Sequence, residues 1–121
     1  MTGDTDKPPM NEKRDIPGAF EQLVLLALLR LAPDAYGMTV RKEIEAQTRQ
    51  PVSLGAVYAT LERLETKGYV RSTQAPGGRE RGGRARRFFE VEAAGLRALR
   101  RALETTDRMR RGLGVLCPEE V

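Results

Sequence analysis

The chain has 121 residues, 40% of them hydrophobic and 31% charged, with a formal net charge of +4. Such a composition suits one small folded domain and excludes full disorder. There is no histidine and a single cysteine, Cys117. That excludes Ser-His-Asp and Cys-His catalysis, histidine or cysteine zinc clusters and an internal disulfide. No catalytic constellation, metal site or cofactor is expected, and the chain does not read as an enzyme.

Residues 1–17, MTGDTDKPPMNEKRDIP, are polar and proline-bearing and read as a disordered lead-in. The apolar run from Leu23 to Leu29 is seven residues long before Arg30 interrupts it. A membrane span needs roughly 20 apolar residues, and the layout of a secretory signal is missing. The expected location is therefore cytoplasmic, with no membrane partner.

GAFEQLVLLALLRLAP predicts the first helix. Phe20, Leu23, Val24, Ala27, Leu28 and Leu31 form one buried stripe. Leu25, Leu26 and Leu29 widen it almost all the way round, which is more than so small a domain can cover by itself, so part of this helix is expected to face another subunit. AYGMTVRKEIEAQT predicts a short second helix, and Pro51 forces a new element after it. VSLGAVYATLERLETKG is the clearest helix: Ser53 caps it, Leu54, Val57, Leu61 and Leu64 make its buried stripe, and Gly68 suits a left-handed end. Gly55, Ala56, Ala59, Thr60 and Arg63 lie on the opposite face. Small residues there leave the backbone accessible, where an idle solvent face more usually carries Glu and Lys.

YVRST and RRFFEV predict two strands, joined by a glycine-arginine loop into a hairpin. Residues 71–87 hold six arginines and one acid, a charge of +5 over 17 residues that exceeds the net charge of the whole chain. Arg79, Arg81 and Arg84 lie in the loop itself, and Arg86 and Arg87 at the entrance to the second strand. Arginine forks suit phosphates and narrow minor grooves, and glycines let a backbone approach a ligand. A solvated hairpin tip would have the same composition. The position of this loop after a capped helix with a small-residue face favours double-stranded DNA. EAAGLRALRRALETTDRMRRGLGVL predicts a long final helix, with Leu96, Leu99, Leu103 and Leu113 on one side and Ala102 and Met109 beside them. The fold class is therefore mainly α with a small β-hairpin. It comprises a lead-in (1–17), a winged helix-turn-helix (18–91), a C-terminal helix (92–116) and a tail (117–121).

From about Gly18 to Leu103 the chain resembles the PadR-type winged-helix transcriptional regulators. The resemblance is carried by AYGMTVRKEIE (35–45), SLGAVYATLERLETKGYV (53–70) and RGGRARRFF (81–89). The last of these is similar to the short branch with a single C-terminal helix. The resemblance implies a homodimeric repressor whose third helix enters the major groove while its wing follows phosphates or the minor groove. The terminal helix would serve dimerisation, pairing with its mate and with the first helix of the partner. Leu25, Leu26, Leu29, Leu96, Leu99, Leu103 and Met109 are the expected contacts.

Tyr36, Ser53, Gly55 and Tyr58 stand where the family lies near DNA. Each also has a structural reading: Tyr36 as packing, Ser53 as a cap, Gly55 as a close-packing residue and Tyr58 as half-buried core. The chain departs from the family at Glu92 and Ala93, where a capping threonine is common, and at Phe88 and Phe89, where tyrosine is common. Some family members bind small-molecule effectors, but with no tryptophan and few aromatics here, no effector can be named. A winged-helix adaptor that binds protein is the alternative function; it would favour exposed apolar residues over arginines in the wing.

Overall fold

The computed structural model describes residues 15–75 and 86–116. Helix α1 spans Ala19–Leu31, α2 Gly37–Thr48 and α3 Leu54–Thr66; strands β1 (Val70–Ala75) and β2 (Arg86–Val91) follow, then α4 (Ala93–Arg110). The expected class is observed: among the described residues there are four α-helices and one antiparallel hairpin. Arg79, Arg81, Arg84 and Cys117 lie outside the described residues.

Local chemistry explains most of the boundaries. The Gly18 amide donates to Glu21 Oε1 at 3.1 Å, starting α1. At the start of α2 the Tyr36 amide donates to Thr39 Oγ1 at 3.0 Å, and that hydroxyl donates back to the Asp34 carbonyl at 2.7 Å. Ser53 Oγ accepts the Ala56 amide at 3.0 Å, capping α3 as its sequence predicts. Gly68 follows α3 with φ +81°, a left-handed turn that a side chain would strain.

The core gathers Val24, Leu25 and Leu28 of α1, Val40 and Ile44 of α2, and Val57, Leu61 and Leu64 of α3. Tyr69, Val70 and Phe89 close it from the hairpin, and Ala98 and Leu99 from α4. In register, Val70 faces Val91 and Ser72 faces Phe89. β2 also has a partner on its other edge. Tyr36 forms an isolated bridge with Phe88, and the Phe89 amide donates to the Ala35 carbonyl at 2.9 Å. The expected second helix includes Ala35 and Tyr36; these two instead pair with β2, and two residues are too few to show a strand pattern.

Three expectations are corrected. Asp15 and Pro17 do not behave as lead-in: Pro17 is fully buried, and Asp15 pairs with Lys67 at 3.1 Å. The final helix stops at Arg110; Gly112 turns the chain at φ +83° before a 3-10 turn at Gly114–Leu116, so Leu113 is off the helix. The buried side of α4 is also rotated from the leucine stripe. It consists of Gly95, Ala98, Leu99 and Ala102, while Leu96, Leu103 and Met109 are exposed. The cause is close approach: a β-carbon on Gly95 would collide with the Tyr69 backbone. The Glu92 amide donates to the Tyr69 carbonyl at 2.8 Å, holding the helix start there. Small residues and Leu99 dock α4, while Leu96, Leu103 and Met109 stay exposed.

Candidate nucleic-acid interface

The turn before α3 is fixed from both sides. Arg49 ends α2 in a left-handed conformation at φ 59°. The Val52 amide then donates to Glu45 Oε2 at 2.8 Å, tying the turn to α2. This sets the direction of α3. Val57, Leu61 and Leu64 face inward, and Ser53, Gly55, Ala56 and Ala59 are exposed. A β-carbon on Gly55 would meet nothing within 4 Å. The exposed face of α3 is therefore open to close approach at its N-terminal half, as the small residues suggest.

Two residues expected on that face are placed differently. Thr60 is 3% exposed, and its Oγ1 accepts a hydrogen bond from Arg63 Nη2 at 3.3 Å. It sits one position from Leu61 at the edge of the buried stripe, so it has no surface with which to read a base. Arg63 is exposed but turned back: its Nε donates to Glu21 Oε2 at 2.9 Å. Glu21 also accepts from Lys67 Nζ at 3.2 Å, and Lys67 reaches Asp15. Burial pushes the Glu21 carboxyl up, but hydrogen bonds from Arg63, the Gly18 amide and Lys67 outweigh it and hold the carboxyl below its ordinary value. Arg63 thus belongs to an ion cluster joining α1 to α3.

Tyr58 lies across the start of α2. A β-carbon on Gly37 would strike its ring, so Gly37 is what admits it. Tyr58 is 37% exposed, which makes it both a packing residue and part of the surface. Tyr36 stands edge-on to Phe88, with ring centroids 5.4 Å apart, and the Arg86 guanidinium lies 4.1 Å over the Tyr36 ring.

The arginines at the wing root divide sharply. Arg71 pairs across the hairpin with Glu90, its Nε donating at 2.8 Å, and approaches Glu92 at 3.7 Å. Arg87 donates to Glu62 and to Glu65, each at 2.6 Å, and lies 5.0 Å over the Phe89 ring. The Glu62 hydrogen bond is the main cause that raises its pKa. Arg86 forms no ion pair among the described residues; its cation is half-buried over the Tyr36 ring. Composition could not separate these three, because each carboxylate that decides the matter comes from another element or from the opposite strand.

The model of the family described as "Transcriptional regulator PadR-like family" matches residues 25–101. The chain belongs to this family. A PadR family transcriptional regulator from Eggerthella lenta is similar in structure at 29% identity with a TM-score of 0.62, covering 78% of this chain and 80% of that one. A PadR-like regulator from Bacillus cereus shares the fold at 18% identity and TM-score 0.59, over 78% of this chain and 89% of its own. A transcriptional regulator from Clostridium thermocellum does so at 18% and 0.63, over 79% and 90%. No curated protein matches the sequence.

Within this PadR-like fold, the seven expected dimer contacts separate into two groups. Leu25 and Leu99 are 0% and 3% exposed and belong to the chain's own core; they leave no surface for a partner. Leu26 is half-buried, while Leu29, Leu96, Leu103 and Met109 are exposed. Leu25 is not a dimer contact because α1 is apolar on several sides, and only packing against α2, α3 and the hairpin decides which side turns in. No helix among the described residues is long and apolar enough to cross a membrane. Among the same residues, no group of three or more His, Cys, Asp or Glu could hold a metal ion.

Proposed function

We propose that this PadR-like regulator is a homodimeric, sequence-specific repressor that binds double-stranded DNA. α3 would lie in the major groove and the hairpin loop along phosphates or in the minor groove. The observation that carries this reading is the face of α3: a capped helix start followed by Ser53, Gly55, Ala56 and Ala59, all exposed and without bulk, beside the basic hairpin. A groove floor can approach such a face to within contact distance. Tyr36, Tyr58 and Arg86 border it and supply hydroxyls and a stacked cation for the flanking phosphates. The loop arginines Arg79, Arg81 and Arg84 would extend the contact.

Dimerisation is supported by large apolar side chains that the monomer leaves out: Leu29 at 45%, Leu103 at 40% and Met109 at 74% exposed, with Leu96 and Leu26 beside them. Their burial against a second copy removes an apolar surface that a soluble monomer seldom carries.

Selection of bound sequences from a random duplex library, followed by footprinting, tests the proposal. One enriched motif with two-fold symmetry is expected. Uniform recovery of all sequences would reject specificity, and protection of a single half-site by a monomer would reject the dimer.

A further inference from the structure

We infer that Arg87 is a positioning residue: held by Glu62 and Glu65 of α3, it fixes the wing hairpin at one angle to the recognition helix instead of contacting DNA. The inference deepens the DNA-binding reading and rests on it.

The hairpin meets the core unevenly along its length. At its base, Val70 and Phe89 are buried, 2% exposed each. Beyond Phe89, Phe88 packs edge-on against Tyr36 on the other face of the strand. The next inward residue on β2 is Arg87, two positions from Phe89 and therefore on the same face. Its two terminal nitrogens each donate to a separate carboxylate, Glu62 and Glu65, one α3 turn apart. Its Nε lies 3.3 Å from Ser72 Oγ, and that hydroxyl donates to Glu65 at 2.8 Å. Both strands are thus tied to α3, β2 through the Arg87 guanidinium and β1 through the Ser72 hydroxyl. All three of its nitrogens are engaged, and its guanidinium carbon lies 5.0 Å from the Phe89 ring centroid.

A phosphate contact would need this fork to leave two carboxylates for one anion. Arg86, one residue earlier, faces the other way and has no such partners among the described residues. Adjacent arginines in one strand therefore do different work: one is presented to the ligand and one is spent on geometry. A rigid duplex needs the wing and α3 spaced to match adjacent grooves, so a clamp between them acts on specificity.

The test compares Arg87→Ala and the double variant Glu62→Ala/Glu65→Ala with wild type. Alanine keeps the helix propensity of α3. Affinity for the selected operator and for random DNA is measured against salt, and exchange of the β1–β2 ladder amides is followed in the free proteins. For Arg87→Ala, operator affinity should fall about 10-fold, with a salt slope that moves by much less than the roughly 0.9 expected for a lost phosphate contact. A slope loss of that size, or an unchanged affinity, overturns the proposal.

The double variant is more discriminating. Removing two acids beside DNA should tighten every complex if they merely repel it. The clamp instead requires operator affinity to drop while random DNA is bound as well or better. A parallel rise on both DNAs would overturn it. Faster ladder exchange in both variants is expected, and unchanged exchange would also overturn the clamp. Wild-type protein that binds no duplex would reject the DNA-binding reading and this role with it, whereas the exchange rates test the clamp with no DNA present.

Discussion

Helices α3 and α4 each bury one face in the same core and expose the other, yet the exposed faces are opposite in kind. α3 exposes Gly55, Ala56 and Ala59; α4 exposes Leu96, Leu103 and Met109. Their buried faces are opposite as well: α3 buries Val57, Leu61 and Leu64, while α4 buries Gly95, Ala98 and Ala102 around Leu99. Large residues inward and small ones outward leave a backbone that a polar groove can approach. Small residues inward leave Leu96 and Leu103, one above the other on the outer side of α4, as exposed apolar surface that another apolar surface would satisfy. On the proposed function, the same packing rules would prepare one helix for a polyanion and the other for a second copy.

The largest test of this contrast is on α4. Leu99→Glu puts a charge into the chain's own core, without an opposite partner, and should cost more than about 4 kcal/mol. Circular dichroism should show an unfolded or barely folded chain. A folded monomer would mean that Leu99 faces a partner after all. On α3, Ala56→Glu adds an acid to an exposed position. The melting temperature should change little, while DNA affinity should fall about 100-fold, because the new charge meets phosphates. Unaltered binding would move the DNA contact away from this face. Leu103→Glu should be milder: the position is 40% exposed, so the chain should stay folded. Sedimentation should then show the dimer weakened by about 1–3 kcal/mol. An unchanged dimer would exclude the outer ridge of α4 as the interface.

The sequence made α3 legible because its determinants are local: a cap three residues from the amide it accepts, a stripe at helical spacing and a glycine at the end. It made the number and order of elements legible for the same reason. The orientation of α4 was not legible, because it turns on Gly95 meeting the Tyr69 backbone, a contact between elements. Arginine roles were hidden by distance along the chain. Arg87 finds its acids 22 and 25 residues away, and Arg63 finds Glu21 42 residues away. Charge counting located the basic segment; it could not say which cations were already neutralised.

The smallest expected effect concerns Glu21, which holds Arg63 back from the α3 surface. Its carboxyl titrates below its ordinary value in the folded protein, because hydrogen bonds from Arg63, the Gly18 amide and Lys67 overcome the opposing effect of burial. The unfolded chain therefore takes up the proton first as pH falls. The stability that Glu21 contributes is complete above its unfolded pKa and is lost as pH drops through the folded one. Glu21→Gln should lower the melting temperature by a few degrees at neutral pH. The gap from wild type should close as the pH falls from about 5 toward 3. Parallel melting curves over that range would show that the carboxylate has no special partners. The same variant reports on α3: once released, Arg63 can swing toward a phosphate. Operator and random DNA should then bind slightly more tightly, with the salt slope steeper by at most about 0.9. A weaker complex at one base position only would instead make Arg63 a base reader that needs Glu21 to aim it, and the separation drawn between the ion cluster and the exposed face of α3 would fail.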